Sequence, residues 1–150
     1  MTLAATTREM KEQDLPAVRR VEKKCFPWCT SLGELRKILS TSSGHSLVAV
    51  VDNVIIGYVL VEFTVDGACV IETLAVLPDY ENNGIGSALL KKVITSLSPG
   101  CSFINLKTSP YRKGLVEFYD KFGFKVMDNP NDLYFAGHKM TLDTSQFKLN

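Results

Sequence analysis

Between residues 69 and 107 the hydrophobic period changes twice, and this limits the fold more than any other feature of the chain. Cys69–Val76 is an almost continuous apolar, β-branched run, which reads as a strand. Beyond Pro78, residues Ile85, Leu89, Val93 and Leu97 lie four apart, with Leu90 and Ile94 beside them. That period predicts a helix over about 84–97, stopped by Ser98-Pro99-Gly100. Ser102–Lys107 reads as a strand again. A strand, a helix and a second strand of these lengths close as a parallel crossover unit.

The flanking segments add antiparallel partners. Residues 4–9 are a candidate first strand. Asp14 reads as an N-cap with Pro16 in the tolerated first turn, and Leu15, Val18, Val21 and Cys25 predict a helix over 14–25. Phe26-Pro27-Trp28 ends it, because the residue before a proline avoids helical backbone. Ser31-x-x-Glu34 is a capping box ahead of the stripe Leu32, Leu35, Ile38 and Leu39. Ser46–Val51, Val54–Val65 and Cys69–Val76, joined by Asp52-Asn53 and Asp66-Gly67, predict a meander. A helix over about 112–122 ends at Gly123, and Phe124–Met127 and Leu133–Leu142 are expected to close the sheet. The expected class is α/β (α+β mixed): one domain over 1–150, with a mixed, mostly antiparallel sheet, a central parallel β-α-β unit and helices on both faces.

Composition narrows the functional classes. With 150 residues the chain holds one core, and 45% hydrophobic residues exclude a disordered protein. Lys+Arg number 17 and Asp+Glu 16, so the net charge of +1 supplies no general attraction to nucleic acid. No apolar run approaches the ~20 residues of a membrane span, so no membrane partner is expected. The N-terminal residues lack a basic start followed by an apolar stretch, and a cytoplasmic location follows as an expectation. There Cys25, Cys29, Cys69 and Cys101 would stay reduced. Cys25 and Cys29 have no second close pair and no neighbouring His, so no metal is expected.

The richest stretch in chemical terms is Leu74-Ala75-Val76-Leu77-Pro78-Asp79-Tyr80-Glu81-Asn82-Asn83-Gly84-Ile85-Gly86-Ser87. A buried strand enters a loop, and the loop opens a helix at Gly-x-Gly. The first turn of a helix carries unpaired N–H groups and a partial positive charge, and glycine lets a pyrophosphate approach them closely. A hairpin at Asn83-Gly84 is excluded by the helical period that follows; a plain helix start with a packing glycine is the other reading. The third glycine of a dinucleotide fingerprint and the Gly-Lys-Ser/Thr ending of a P-loop are both missing.

Val76-Leu77-Pro78-Asp79-Tyr80-Glu81-Asn82-Asn83-Gly84-Ile85-Gly86 resembles the central motif of the GNAT superfamily of acetyl-CoA-dependent N-acetyltransferases. Phe118-Tyr119-Asp120-Lys121-Phe122-Gly123-Phe124 resembles a second motif of that family, in the expected order, and the two cover about residues 70–127. Asp14-Leu15-Pro16-Ala17-Val18 and Phe26-Pro27-Trp28 are more loosely similar to the branch that acetylates protein N-termini, including the ribosomal-protein alanine acetyltransferases. The resemblance implies acetyl-CoA as co-substrate. It implies that Leu74, Ala75 and Val76 pair with the pantetheine arm, that the Val76 N–H polarises the thioester carbonyl, and that Glu81, Asn82, Asn83, Gly84, Ile85, Gly86 and Ser87 wrap the pyrophosphate. Tyr119 would protonate the departing thiolate.

Three positions depart from the pattern. Glu81 stands where Gln or Arg is usual, and a carboxylate repels a diphosphate unless it turns away or pairs with a cation. Arg112-Lys113-Gly114-Leu115 replaces an Asn-x-x-Ala segment, so Arg112 or Lys113 could meet a phosphate of the coenzyme. Lys107 stands where the alanine branch places its glutamate base.

An amine must be neutral to attack, so a base is needed. Glu72, in the otherwise apolar Val70-Ile71-Glu72-Thr73-Leu74, is the first candidate, against a structural ion pair or a solvated face. Glu62 is a second, and His138 and His45 read better as a structural and a loop histidine. Phe26 and Trp28, with Tyr134 and Tyr111, are candidates to line the acceptor pocket; a hydrophobic cap on the core is the other reading of Phe26 and Trp28. The expected reaction is direct attack of a primary amine on acetyl-CoA in a ternary complex, the acceptor being a protein N-terminus, a lysine, an amino sugar or a polyamine. A degenerate module that binds or senses CoA without turnover is the alternative. Oligomeric state is open, a dimer included.

Overall fold

A computed structural model describes residues 4–108, 112–127 and 137–147. The strands are β1 (Thr6–Glu9), β2 (Leu47–Val51), β3 (Val54–Phe63), β4 (Cys69–Val76), β5 (Phe103–Lys107), β6 (Lys125–Val126) and β7 (Lys139–Asp143). They form a seven-stranded sheet in the order β1-β2-β3-β4-β5-β7-β6. Among the described residues, β4 and β5 alone run parallel and every other neighbouring pair is antiparallel. The helices are α1 (Leu15–Cys25), α2 (Leu32–Thr41), α3 (Ile85–Leu97) and α4 (Leu115–Asp120).

Each helix covers the sheet with the stripe its sequence carries. Leu15, Val18 and Val21 of α1 and Leu35 and Ile38 of α2 pack on one face, against Val48, Tyr58, Leu60 and Ala75. Leu89, Leu90, Val93, Ile94 and Leu97 of α3 pack on the other, with Tyr119 of α4, against Ala49, Val59, Val61, Ile71 and Ile104. β3 is therefore buried on both faces, which is why it reads as an unbroken apolar run. At Gly57, an added Cβ would lie 3.0 Å from the Ala75 carbonyl oxygen, so β3 and β4 meet there with no room for a side chain.

Several local expectations need correction. Asp14 does not cap α1 with its side chain. Its carboxylate instead accepts from the Lys11 N–H at 2.8 Å and from both Arg8 guanidinium nitrogens, at 2.7 and 2.9 Å. The last helix is shorter than 112–122 because Gly114, at φ +80°, starts it only at Leu115. The last strand is Lys139–Asp143 rather than Leu133–Leu142, and residues 133–136 lie outside the described residues. Four reduced cysteines are also not what the fold contains: Cys69 and Cys101 form a disulfide, leaving Cys25 and Cys29 free. The parallel crossover is the reason. It brings the first residue of β4 beside the turn that leads into β5, with the two Cα atoms 6.5 Å apart.

Candidate active site

The site begins where β4 and β5 part. They are paired only through Cys69, Val70 and Ile71 against Ile104, Asn105 and Leu106. β4 then runs on to Val76 with β3 along one edge and a cleft of about 660 Å³ along the other. The Leu77 N–H donates to the Ile56 carbonyl of β3 at 2.8 Å. Across that trans peptide the Val76 carbonyl points the opposite way, toward the Cys25 thiol at 3.4 Å. In an extended strand the Val76 N–H shares that outward edge. The segment Leu74–Val76 thus presents backbone groups to the cleft, as an open strand edge does.

The loop after β4 is shaped by backbone conformation. A tight turn over Pro78–Tyr80 leads to Glu81, then Asn82 at φ +64° and Gly84 at φ +77°. The Ala88 N–H makes the first rung of α3, to the Gly84 carbonyl at 3.0 Å. The N–H groups of Ile85, Gly86 and Ser87 therefore precede the ladder, and Gly84 has no side chain to cap them. Packing does not demand glycine at position 86: an added Cβ would find only ordinary contacts, 3.8 Å to Phe118 and 3.9 Å to Val76. A glycine that the core does not require, at the cleft-facing start of a helix, suits the approach of a ligand backbone.

Most of the residues singled out from the sequence line this one cleft: Phe26, Trp28, Glu72, Leu74, Ala75, Val76, Glu81, Asn82, Gly84, Ile85, Gly86, Ser87, Arg112 and Tyr119, with Lys107 and Lys113. Asn83 is not among the lining residues; its amide braces the loop by donating to the Tyr80 and Glu81 carbonyls at 3.1 and 2.9 Å. Tyr134 and Tyr111 lie outside the described residues. His45 sits away from the cleft, its Nδ1 2.6 Å from Ser96 Oγ, and the His138 N–H donates to Thr108 Oγ1 at 2.8 Å. Thr73, Thr108, Gly114 and Phe118 also line the cleft and were missed. Of these, Phe118 opens the second family motif, and the Lys113-Gly114 step is a second glycine-led helix start.

Charge in the cleft is arranged in two places. At one end the Arg112 guanidinium and the Glu81 carboxylate form a part-buried ion pair. At the other, Glu72 is held up at about 7, first by partial burial, then by hydrogen-bond contact with the Glu62 carboxyl and its charge. Lys107 pulls it down and Glu34 adds to the rise. Tyr119, which also lines the cleft, is buried and packed edge-on against Phe118 and Phe124. Burial pushes its phenol well above the ordinary range, against a smaller opposing pull from Arg112, so it keeps its proton at neutral pH.

Phe26 and Trp28 wall part of the cleft, their rings stacked at 4.6 Å with an interplanar angle of 10°. Their loop is tied down from α1. The buried Glu22 carboxylate accepts from the Thr30 N–H and from Thr30 Oγ1, the latter at 2.7 Å, and Arg19 Nε donates to the Thr30 carbonyl at 3.0 Å.

Residues 15–124 match the model of the acetyltransferase (GNAT) family, and the chain belongs to that family, which makes it by class an acyl-CoA N-acetyltransferase. Among solved structures it is similar in fold to Ard1 from Thermoplasma volcanium (18% identity, covering 99% of this chain and 100% of that one, TM-score 0.82). It is similar also to the ribosomal-protein-S18-alanine N-acetyltransferase from Escherichia coli (20% identity, 97% of each chain, TM-score 0.77). A third similar structure is Arabidopsis thaliana Naa50 in complex with the bisubstrate analogue CoA-Ac-MVNAL (22% identity, 93% of this chain and 98% of that one, TM-score 0.74). No curated protein matches the chain by sequence. No described helix is long and apolar enough to cross a membrane.

Proposed function

We propose that the cleft transfers the acetyl group of acetyl-CoA to a primary amine by direct attack in a ternary complex. One observation carries this reading: the open edge of β4, the uncapped start of α3 and the protonated Tyr119 converge on a single cavity. The pantetheine arm adds along Leu74–Val76, and the pyrophosphate is received by the N–H groups opening α3, with Arg112 and Lys113 nearby. The Val76 N–H points at the thioester oxygen, where negative charge develops. The amine enters past Phe26 and Trp28, and Glu72 takes its proton. As nitrogen bonds to the acetyl carbon, the carbon–sulfur bond breaks, Tyr119 protonates the leaving thiolate, and the proton that nitrogen sheds on becoming an amide restores the Tyr119 phenol. The bisubstrate complex of the plant relative and the coenzyme A complex of the PaiA N-acetyltransferase from Thermoplasma acidophilum support the choice of donor.

The test is calorimetric titration of acetyl-CoA, with adenosine as control, followed by mass-spectrometric detection of acetylated peptide N-termini, lysine, amino sugars and polyamines. Binding on the order of micromolar, with acetyl transfer to one amine class, is expected. Binding without transfer to any amine would reduce the protein to a CoA-binding module. No binding up to millimolar acetyl-CoA would end the reading.

A further inference from the structure

The register of β3 on β4 slips at one point. Val61 faces Ile71 and Leu60 faces Thr73, so Glu72 is the extra residue of a β-bulge. In unbroken register Glu72 would lie opposite Leu60, which is buried under α1 and α2. The bulge gives that place to Thr73 and turns Glu72 out into the cleft. Glu62, two residues along β3 from Leu60, follows the same face by strand alternation; it lies opposite Val70, beside Glu72 across the two strands, and its carboxyl raises that of Glu72. Two carboxyls so placed favour holding one proton between them, since two bare carboxylates repel.

We propose that Glu62 is the positioning partner of Glu72, the two carboxyls acting as one proton-accepting unit for the ammonium form of the acceptor. This rests on the reading of Glu72 as base. With both groups ionised, the pair attracts the cationic amine. One ammonium N–H bond then breaks, its electron pair stays on nitrogen as the nucleophile, and the proton settles on Glu72, bridged to Glu62. The other charged groups facing Glu72 are Lys107 from β5, which opposes proton uptake, and Glu34 of α2, which favours it. Of these neighbours Glu62 acts on Glu72 most strongly, and it sits on the adjacent strand β3, where it can orient the accepting oxygen. The cause of the signal is one of register: it lies across two strands and cannot be seen in either strand alone.

The experiment compares the full-length protein with E62Q and E62D by two readouts. The first is carbon-13 NMR titration of the Glu72 carboxyl, which needs no acceptor. The second is the pH profile of kcat/KM with the best amine found. In the unmodified protein both midpoints are expected near 7. E62Q should lower both by about one pH unit, burial retaining the rest of the rise, and should raise KM for the amine. E62D should restore the midpoint. A Glu72 midpoint unmoved in E62Q overturns the proposal alone. Full activity of E72Q overturns the base assignment beneath it.

Discussion

Glu81 and Arg112, 31 residues apart in the chain, form an ion pair in the lining of the cleft. Glu81 stands at the start of the loop that leads into α3, and Arg112 stands just ahead of α4. The pair resolves the problem that a carboxylate poses beside a diphosphate: its charge is already answered from within the protein. It also ties up an arginine that would otherwise meet the phosphates. E81Q should therefore free Arg112 and tighten acetyl-CoA binding about two- to fivefold, the scale of a part-exposed charge contact. R112A should weaken binding about tenfold, because it removes a cation and leaves Glu81 unanswered. Titration calorimetry on both variants decides it; the two effects must have opposite sign.

Tyr119 is expected to be the proton donor to the leaving thiolate. Y119F removes the hydroxyl and keeps the ring contacts with Phe118 and Phe124. Its kcat should fall about 100-fold or more, while acetyl-CoA affinity and the far-ultraviolet spectrum stay unchanged. Unchanged kcat would remove the acid role from this residue.

Glu22 is buried in α1 and anchors the loop that carries Phe26 and Trp28, by accepting two hydrogen bonds from Thr30. E22A should cost about 1–3 kcal/mol, since a Thr30 N–H loses its partner. If the loop receives the amine as proposed, E22A should raise KM for the amine far more than for acetyl-CoA. Denaturant unfolding and initial rates measure the two effects separately.

Asp14 makes stability depend on pH at the acid end. Its hydrogen bonds to Arg8 hold it below its ordinary value of 3.8, aided by the Lys11 N–H and outweighing partial burial. A folded-state value below the unfolded one means a stabilising contribution present above about pH 4 and lost as pH falls through the folded value. Arg8 is half exposed, so the contribution at neutral pH is about 1 kcal/mol. Urea midpoints at about pH 7 and about pH 3 should converge in D14N relative to the unmodified protein.

The Cys69–Cys101 disulfide ties β4 to the turn before β5, below the point where the two strands part. Unfolded without reductant, the protein should show two reactive thiols, Cys25 and Cys29, and four after reduction. C69S should lower stability by about 3 kcal/mol through the freer unfolded chain. Four thiols without reductant would show that the bridge does not form in solution.

The strands and helices were legible because their signals are local. The four-apart leucines and isoleucines of α3 can bury only one face, and Asp52-Asn53, both at positive φ, can only turn. The backbone cradle at Gly84 was legible for the same reason, since one residue without a Cβ decides its own conformation. Gly114 carried the same signal, but the expected helix ran across it. Nothing local could foretell that β7 would insert between β5 and β6, because strand order depends on which edge is still open when the last strand arrives.

By itself, then, the sequence determined the crossover unit, the glycine-led helix start and the family motifs, all set by periodicity and backbone freedom within a few residues. The tertiary structure alone decided which side chains meet: Glu81 with Arg112, Glu72 with Glu62, and Cys69 with Cys101. Each of those pairings joins residues on different elements, and its distance is set by sheet register and helix packing, which no single stretch of chain encodes.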